Sequence, residues 1–281
     1  MINQGISTLL KANGVMSKPN LNQHSLLILA LALSACGATA LAVFRLMELR
    51  RSTQVTAQMQ QSETKTLSDI RNDDQLDVDE YAVRVNLSHH HLSSAQMAQL
   101  GRLQYLKTLD LSYAQLPAEG IAHLKGKALV RLDLHGSINL GEPGKALAGM
   151  RYLMQLDLSG TAITDQTVDA LVNAPALIWL DLHDTGITDK ATAALAEMSR
   201  LRRLCVSGAH ITDDGMRSLT TAPRLDRLRL IRTGVTIKGI TMLLRACPTL
   251  KVISIQQCPK IGSLEFSQLE TNFPECKFAN Q

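Results

Sequence analysis

Four aspartates, Asp110, Asp133, Asp157 and Asp181, recur every 23 or 24 residues, each between two leucines. If each lies on a successive strand of one sheet, the carboxylates stack about 4.8 Å apart. In water, adjacent unit charges at that distance repel by roughly 0.8 kcal/mol. That is tolerable without a metal, so the column does not call for one. It offers an acidic stripe to a basic partner. Downstream the sign reverses, with Arg202, Arg203, Arg227, Arg229 and Arg232 on the next two periods. Such a patch suits an acidic peptide, a phosphate or an anionic glycan. It could equally be neutralised by Asp181 and Asp226 on neighbouring strands. Trp179, the only tryptophan, shares this surface and is a candidate anchor for a partner.

Other reactive side chains assemble less well. His135 and His183 hold equivalent places with Ser159 between them, which separates them by about 10 Å. That is too far for one ion. His89-His90-His91 sit at a turn and do not converge. The binding set is therefore Asp110, Asp133, Asp157, Asp181, Trp179, His183, Arg203, Arg227, Arg229 and Arg232, with no metal. Cys205 is expected to point outward and to be reactive. Cys247, Cys258 and Cys276 read as small buried hydrophobes. There is no Gly-x-Ser-x-Gly, no phosphate-binding loop and no His-Glu-x-x-His. Neither an enzyme nor a cofactor is expected.

A repeating element must position these residues. Units begin at Ala82, Leu106, Leu129, Leu153, Leu177, Leu201, Leu225 and Leu250, at intervals of 23 to 25. Positions 4 and 6 of each unit are apolar in all eight, from Val85 and Leu87 to Ile253 and Ile255. Strand side chains alternate, so these two enter a core and positions 3, 5 and 7 face out. Thr161, Thr185, Thr233, Ser137 and Cys258 hold position 9, where a small polar or thiol group bonds or fills the turn. Thr164-Asp165, Thr188-Asp189 and Thr212-Asp213 are helix N-cap signals. Leu-x-x-Leu-x-Leu at this period is the signature of a leucine-rich repeat. One unit cannot bury its own apolar face, so the units must stack. The expected fold is an α/β solenoid with a parallel inner sheet, a concave binding face and outer helices. Cys276-Lys277-Phe278 begins a ninth strand and reads as a C-terminal cap.

The run Arg245-Ala-Cys-Pro-Thr-Leu250, the Cys258-x-x-Ile261 turn and the Thr-x-Ile-Thr-Asp turns resemble the cysteine-containing repeats of F-box proteins. They are also similar to bacterial leucine-rich repeat proteins built on Leu-Asp-Leu-Ser-x-Thr-x-Ile-Thr-Asp. The resemblance covers residues 82–278. No F-box precedes the repeats, so a ubiquitin-ligase role does not carry over. What the bacterial resemblance implies is a protein-interaction module at the cell envelope.

The remaining chain is read as an anchor and a stalk. Residues 1–24 form a polar tail, and 25–44 run 20 residues without a charge, long enough as a helix to span about 30 Å. Leu33-Ser-Ala-Cys36 has the form of a lipobox, and lipidation at Cys36 is the alternative anchor. Residues 45–81 are a stalk carrying an acidic run (Asp69, Asp73, Asp74, Asp77, Asp79, Glu80) whose spacing matches no known cation loop. Residues 82–281 are the repeat domain, eight repeats plus the cap. Net charge is +4 for the chain, with residues 201–281 contributing twelve bases and six acids. The expectation is a single-pass bacterial membrane protein with its repeats in the envelope. Its concave face binds a protein or peptide, or alternatively an anionic polymer. Nucleic acid is not expected, since no aromatic platform accompanies the arginines.

Overall fold

A computed structural model describes residues 76, 78, 80–208 and 210–280. The tail, the apolar segment 25–44 with Cys36 and most of the stalk lie outside them. Nine strands form one parallel sheet in sequence order. They are β1 (Arg84–Asn86), β2 (Thr108–Asp110), β3 (Arg131–Asp133), β4 (Gln155–Asp157), β5 (Trp179–Leu182), β6 (Arg203–Ser207), β7 (Arg227–Ile231), β8 (Val252–Gln256) and β9 (Lys277–Asn280). Position 3 pairs with position 3 at every step, from Arg84–Thr108 to Val252–Lys277. The period in the sequence is thus the period of the sheet, and the described residues form a solenoid of Leu-x-x-Leu-x-Leu repeats.

Positions 4 and 6 are buried throughout, with Leu109, Leu132, Leu156 and Leu180 at zero exposure. They meet apolar side chains of the return segments in one continuous core. Those segments are α1 (Ser94–Arg102), a 3-10 turn (Gly120–Leu124), α2 (Gly144–Ala148), α3 (Asp165–Leu171), α4 (Asp189–Glu197), α5 (Asp213–Leu219), α6 (Ile237–Ala246) and α7 (Ser263–Asn272). A helix is about 10 Å wide, whereas strands sit about 4.8 Å apart. The sheet side is therefore the concave side. At the N-terminal end Leu76 and Val78 pack on the core, and the Leu76 amide donates to Gln99 Oε1 at 2.7 Å.

Turn chemistry repeats as strictly as the leucines. Position 8 adopts positive φ in all eight units: His89, Tyr113, Gly136, Gly160, Asp184, Gly208, Arg232 and Gln257. Position 9 then closes the turn from inside, as Ser137 Oγ donating to Leu111 O at 2.6 Å and Thr185 Oγ1 donating to Leu182 O at 2.6 Å. Thr188 and Thr212 cap their helices as expected, and Thr236 does so too without having been foreseen, each accepting from the amide two residues on. Thr164 occupies the same place without a side-chain cap.

The aspartates that open the helices have a further task. Asp165 accepts both the amide and the hydroxyl of Thr188 in the next repeat, at 2.8 and 2.7 Å. Asp189 holds Thr212 at 2.8 and 2.5 Å, and Asp213 holds Thr236 at 2.7 and 2.6 Å. These two-pronged clamps tie each helix start to the following one. Removing a charged acceptor also leaves the amide without its partner. Asp189→Ala should therefore cost about 2 kcal/mol in urea unfolding, and Asp189→Asn less than half of that. Equal stability in all three proteins would contradict the clamp.

Strand length follows from position 5. Where it is Asn or Asp, its Oδ1 accepts the amide of position 7: Ser88, Ser112, His135, Ser159 and His183 donate at 2.9–3.1 Å. That side-chain bond withdraws the amide from the sheet ladder, and β1 to β4 stop after three residues. Where position 5 is Cys205, Arg229 or Ser254 no such bond forms. The strands then continue to position 7, with Ser207 paired to Ile231 and Ile231 to Gln256. The widest regular sheet surface therefore lies at β6 to β8.

Candidate functional site

The sheet's solvent face divides into two charge regions. On β2 to β5 the column Asp110, Asp133, Asp157 and Asp181 is half-buried to buried, and each carboxylate is committed through Oδ1 to its own turn. Arg131 lies 3.7 Å from Asp133. Burial pushes the Asp133 carboxyl above its ordinary value of 3.8, helped by the charges of Asp157 and Asp110 and opposed by the His135 amide and Arg131. The folded state therefore holds the Asp133 proton more tightly than the unfolded state does. Its contribution to stability is full below 3.8 and declines as pH rises through the raised value. Asn86 performs the same turn function without a charge. Asp133→Asn should accordingly be more stable than the parent at neutral pH, with the gap closing as pH falls toward 3.8. An unchanged gap across that range in thermal melts would contradict this.

On β6 and β7 the surface is basic. Arg203, Arg227 and Arg229 are exposed. Part of the surrounding charge is already paired. Arg202 grips Asp226 Oδ2 through Nε and a terminal nitrogen, both at 2.6 Å. Arg232 pairs with Asp184 two repeats away. Asp226 reaches Arg227 only at 3.9 Å. Among the described residues, Arg203 and Arg229 make no ion pair. Of the two expected partners, Asp226 pairs with Arg202, whereas Asp181 pairs with no arginine among the described residues; Asp184, which was not expected, takes Arg232. Trp179 adjoins this region as the register partner of Arg203. It is half-buried rather than exposed.

Two expectations about individual groups need correction. His135 and His183 are not 10 Å apart in their rings: the centroids are 5.8 Å apart and inclined by 27°. Both imidazoles lean over Ser159, whose small side chain leaves the space between them open. Cys205 is not outward and reactive. It is buried, and burial, with the charge and hydrogen bond of Asp181, pushes its thiol far above the ordinary range.

Sequence reasoning also missed a ring ladder along the turn edge. His89 stacks on Tyr113 at 4.8 Å, and Tyr113 meets His135 edge-on at 4.7 Å. Tyr113 lies over Gly136, where a Cβ would come within 2.7 Å of the ring. Its hydroxyl is 2.6 Å from His135 Nε2; His135 Nδ1 is 2.6 Å from Ser159 Oγ, which donates to Asp157. This chain fixes the His135 ring on both nitrogens. A signal existed in glycines at positions occupied elsewhere by large side chains, yet the direction of a ring cannot be read from a period.

No protein-family model matches the chain, and no curated protein matches it. Among solved structures it is similar to a leucine-rich repeat protein of Leptospira interrogans, with 18% identity, 71% of this chain and 55% of that one covered, and a TM-score of 0.47. It is also similar to the plant peptide hormone receptor RGFR1 in complex with RGF2, with 16% identity, 73% and 41% covered, and a TM-score of 0.46. The chain thus spans about half the length of these structures.

Proposed function

We propose that the chain is a membrane-held scaffold whose concave face binds a protein, through an acidic segment laid across β5 to β7. The observation that carries this reading is that Arg203 and Arg229, on the longer strands β6 and β7, make no ion pair among the described residues and lie beside half-buried Trp179. Exposed guanidiniums in a fork geometry accept carboxylates well. Trp179 supplies apolar area next to them. The aspartate column is engaged by its own turns and serves as a flank that turns away acidic groups in the wrong register.

The competing occupant is an anionic polymer. Binding by the full chain in detergent separates the two. A protein segment loses affinity on Trp179→Ala and on Arg203→Glu with Arg229→Glu, and persists at moderate salt. An anionic polymer is released steeply by salt and is indifferent to Trp179→Ala. Indifference of the captured partner to all three substitutions would remove the concave face from the account.

The membrane attachment rests on residues 25–44 and Cys36. Among the described residues no helix is long and apolar enough to cross a membrane. Intact mass of the protein from membranes distinguishes the two anchors. Loss of residues 1–35 with added acyl mass means lipidation at Cys36 and an envelope location. An unmodified mass that includes 25–44 means a spanning helix. A soluble, unmodified chain would contradict both.

A further inference from the structure

Strand geometry brings three different donor groups together at one point. Asp181 and His183 are two residues apart on β5 and its exit, so they share a face. Cys205 is the register partner of Asp181 on β6. Asp181 Oδ1 lies 2.8 Å from His183 Nδ1, and ligand atoms of all three residues lie within 4.8 Å of one another. Zinc–ligand bonds of roughly 2.0–2.3 Å place neighbouring ligand atoms about 3.3–3.7 Å apart, so small side-chain rotations suffice. We propose that Asp181, His183 and Cys205 form a three-ligand site for a zinc-type divalent cation, with its fourth position open to the concave face.

An equivalent trio two periods earlier is a useful contrast. Asp133, His135 and Asp157 hold the same relative places, but His135 is occupied at both nitrogens by Ser159 and Tyr113. The His183 ring has no hydrogen-bond partner other than Asp181 among the described residues. Its side chain keeps 27% exposure, against 10% for Asp181. The site is therefore walled below and reachable from solvent. The chemistry of the set, one thiol, one imidazole and one carboxylate, is that of zinc rather than of calcium or magnesium.

Binding proceeds by proton displacement. The Cys205 S–H bond breaks, its proton leaves to water and the sulfur pair forms the metal bond. The Nδ1–H of His183 that faces Asp181 in the free protein is given up to water while Nε2 takes a proton from water, so the ring gives its Nδ1 pair with no net proton change. One proton is released for each ion bound, so affinity rises with pH. The charged and titratable groups facing the thiol are Asp181 and Asp157, which favour a cation, and Arg229, which opposes it; His135 stacks on His183 from the neighbouring side.

The test titrates zinc(II) alone into the reduced full chain in detergent, for the parent, Cys205→Ser and His183→Ala, with circular dichroism to verify folding. Loss of either ligand should weaken the Cys205-dependent event by more than the roughly tenfold typical of losing only an outer partner. Cobalt(II) should give a thiolate charge-transfer band in the parent that Cys205→Ser abolishes. Should Cys205→Ser fail to fold, His183→Ala decides. Zinc binding and a cobalt spectrum unchanged in the folded variants would overturn the site.

Discussion

Leu180→Ala is expected to destabilise the domain by about 3–5 kcal/mol, a loss typical of a buried leucine that leaves a cavity. Leu180 is fully buried at position 4 of β5, in register between Leu156 and Leu204. It belongs to the middle strand of nine. In a solenoid each repeat is held chiefly by its two neighbours. A cavity at the centre therefore weakens two interfaces at once, and it partly uncouples the N-terminal repeats from the C-terminal ones. Urea unfolding followed by circular dichroism should show a lower midpoint and a broadened or split transition. Leu264→Ala on α7, at 69% exposure, should change stability by less than about 0.5 kcal/mol. A similar small effect at both sites would contradict the packing described.

Arg203→Glu combined with Arg229→Glu is expected to lower partner affinity at least a hundredfold, about 3 kcal/mol. Each substitution removes a charge-assisted contact and sets a carboxylate against the acidic segment. Truncating one member of a buried charge pair alone costs about 2–5 kcal/mol. Neither arginine makes an ion pair among the described residues, so the fold should tolerate the change. Arg217→Glu on α5, which breaks only an exposed pair with Asp214, is the matched control. It reverses a charge on the helix side and should leave binding intact.

The repeat was legible because the leucines that set the period also set the sheet register. Every expected position 3, from Arg84 to Val252, pairs with its counterpart. The left-handed turn at position 8 was hidden, since only Gly136, Gly160 and Gly208 mark it and five side chains adopt it without glycine. The site was legible in columns but not in contacts. Strand spacing gives the distance between Cβ atoms, whereas His135 and His183 meet through rings that lean over Ser159. Likewise position 5 told that Cys205 starts outward, yet not that Asp181 and its neighbours would cover it. Asp165, Asp189 and Asp213 were read as helix-start residues; their bonds to the next repeat depend on how the helices stack.

Trp179 is the only tryptophan, so its fluorescence reports directly on the proposed binding face. The decisive measurement is a titration of the full chain with the captured partner's acidic segment, made as a tryptophan-free peptide at physiological salt. A saturable change in Trp179 emission is expected in the parent and should disappear with Arg203→Glu and Arg229→Glu. Peptide binding seen by polarisation but silent at Trp179, or unaffected by the two reversals, would contradict recognition on the concave face.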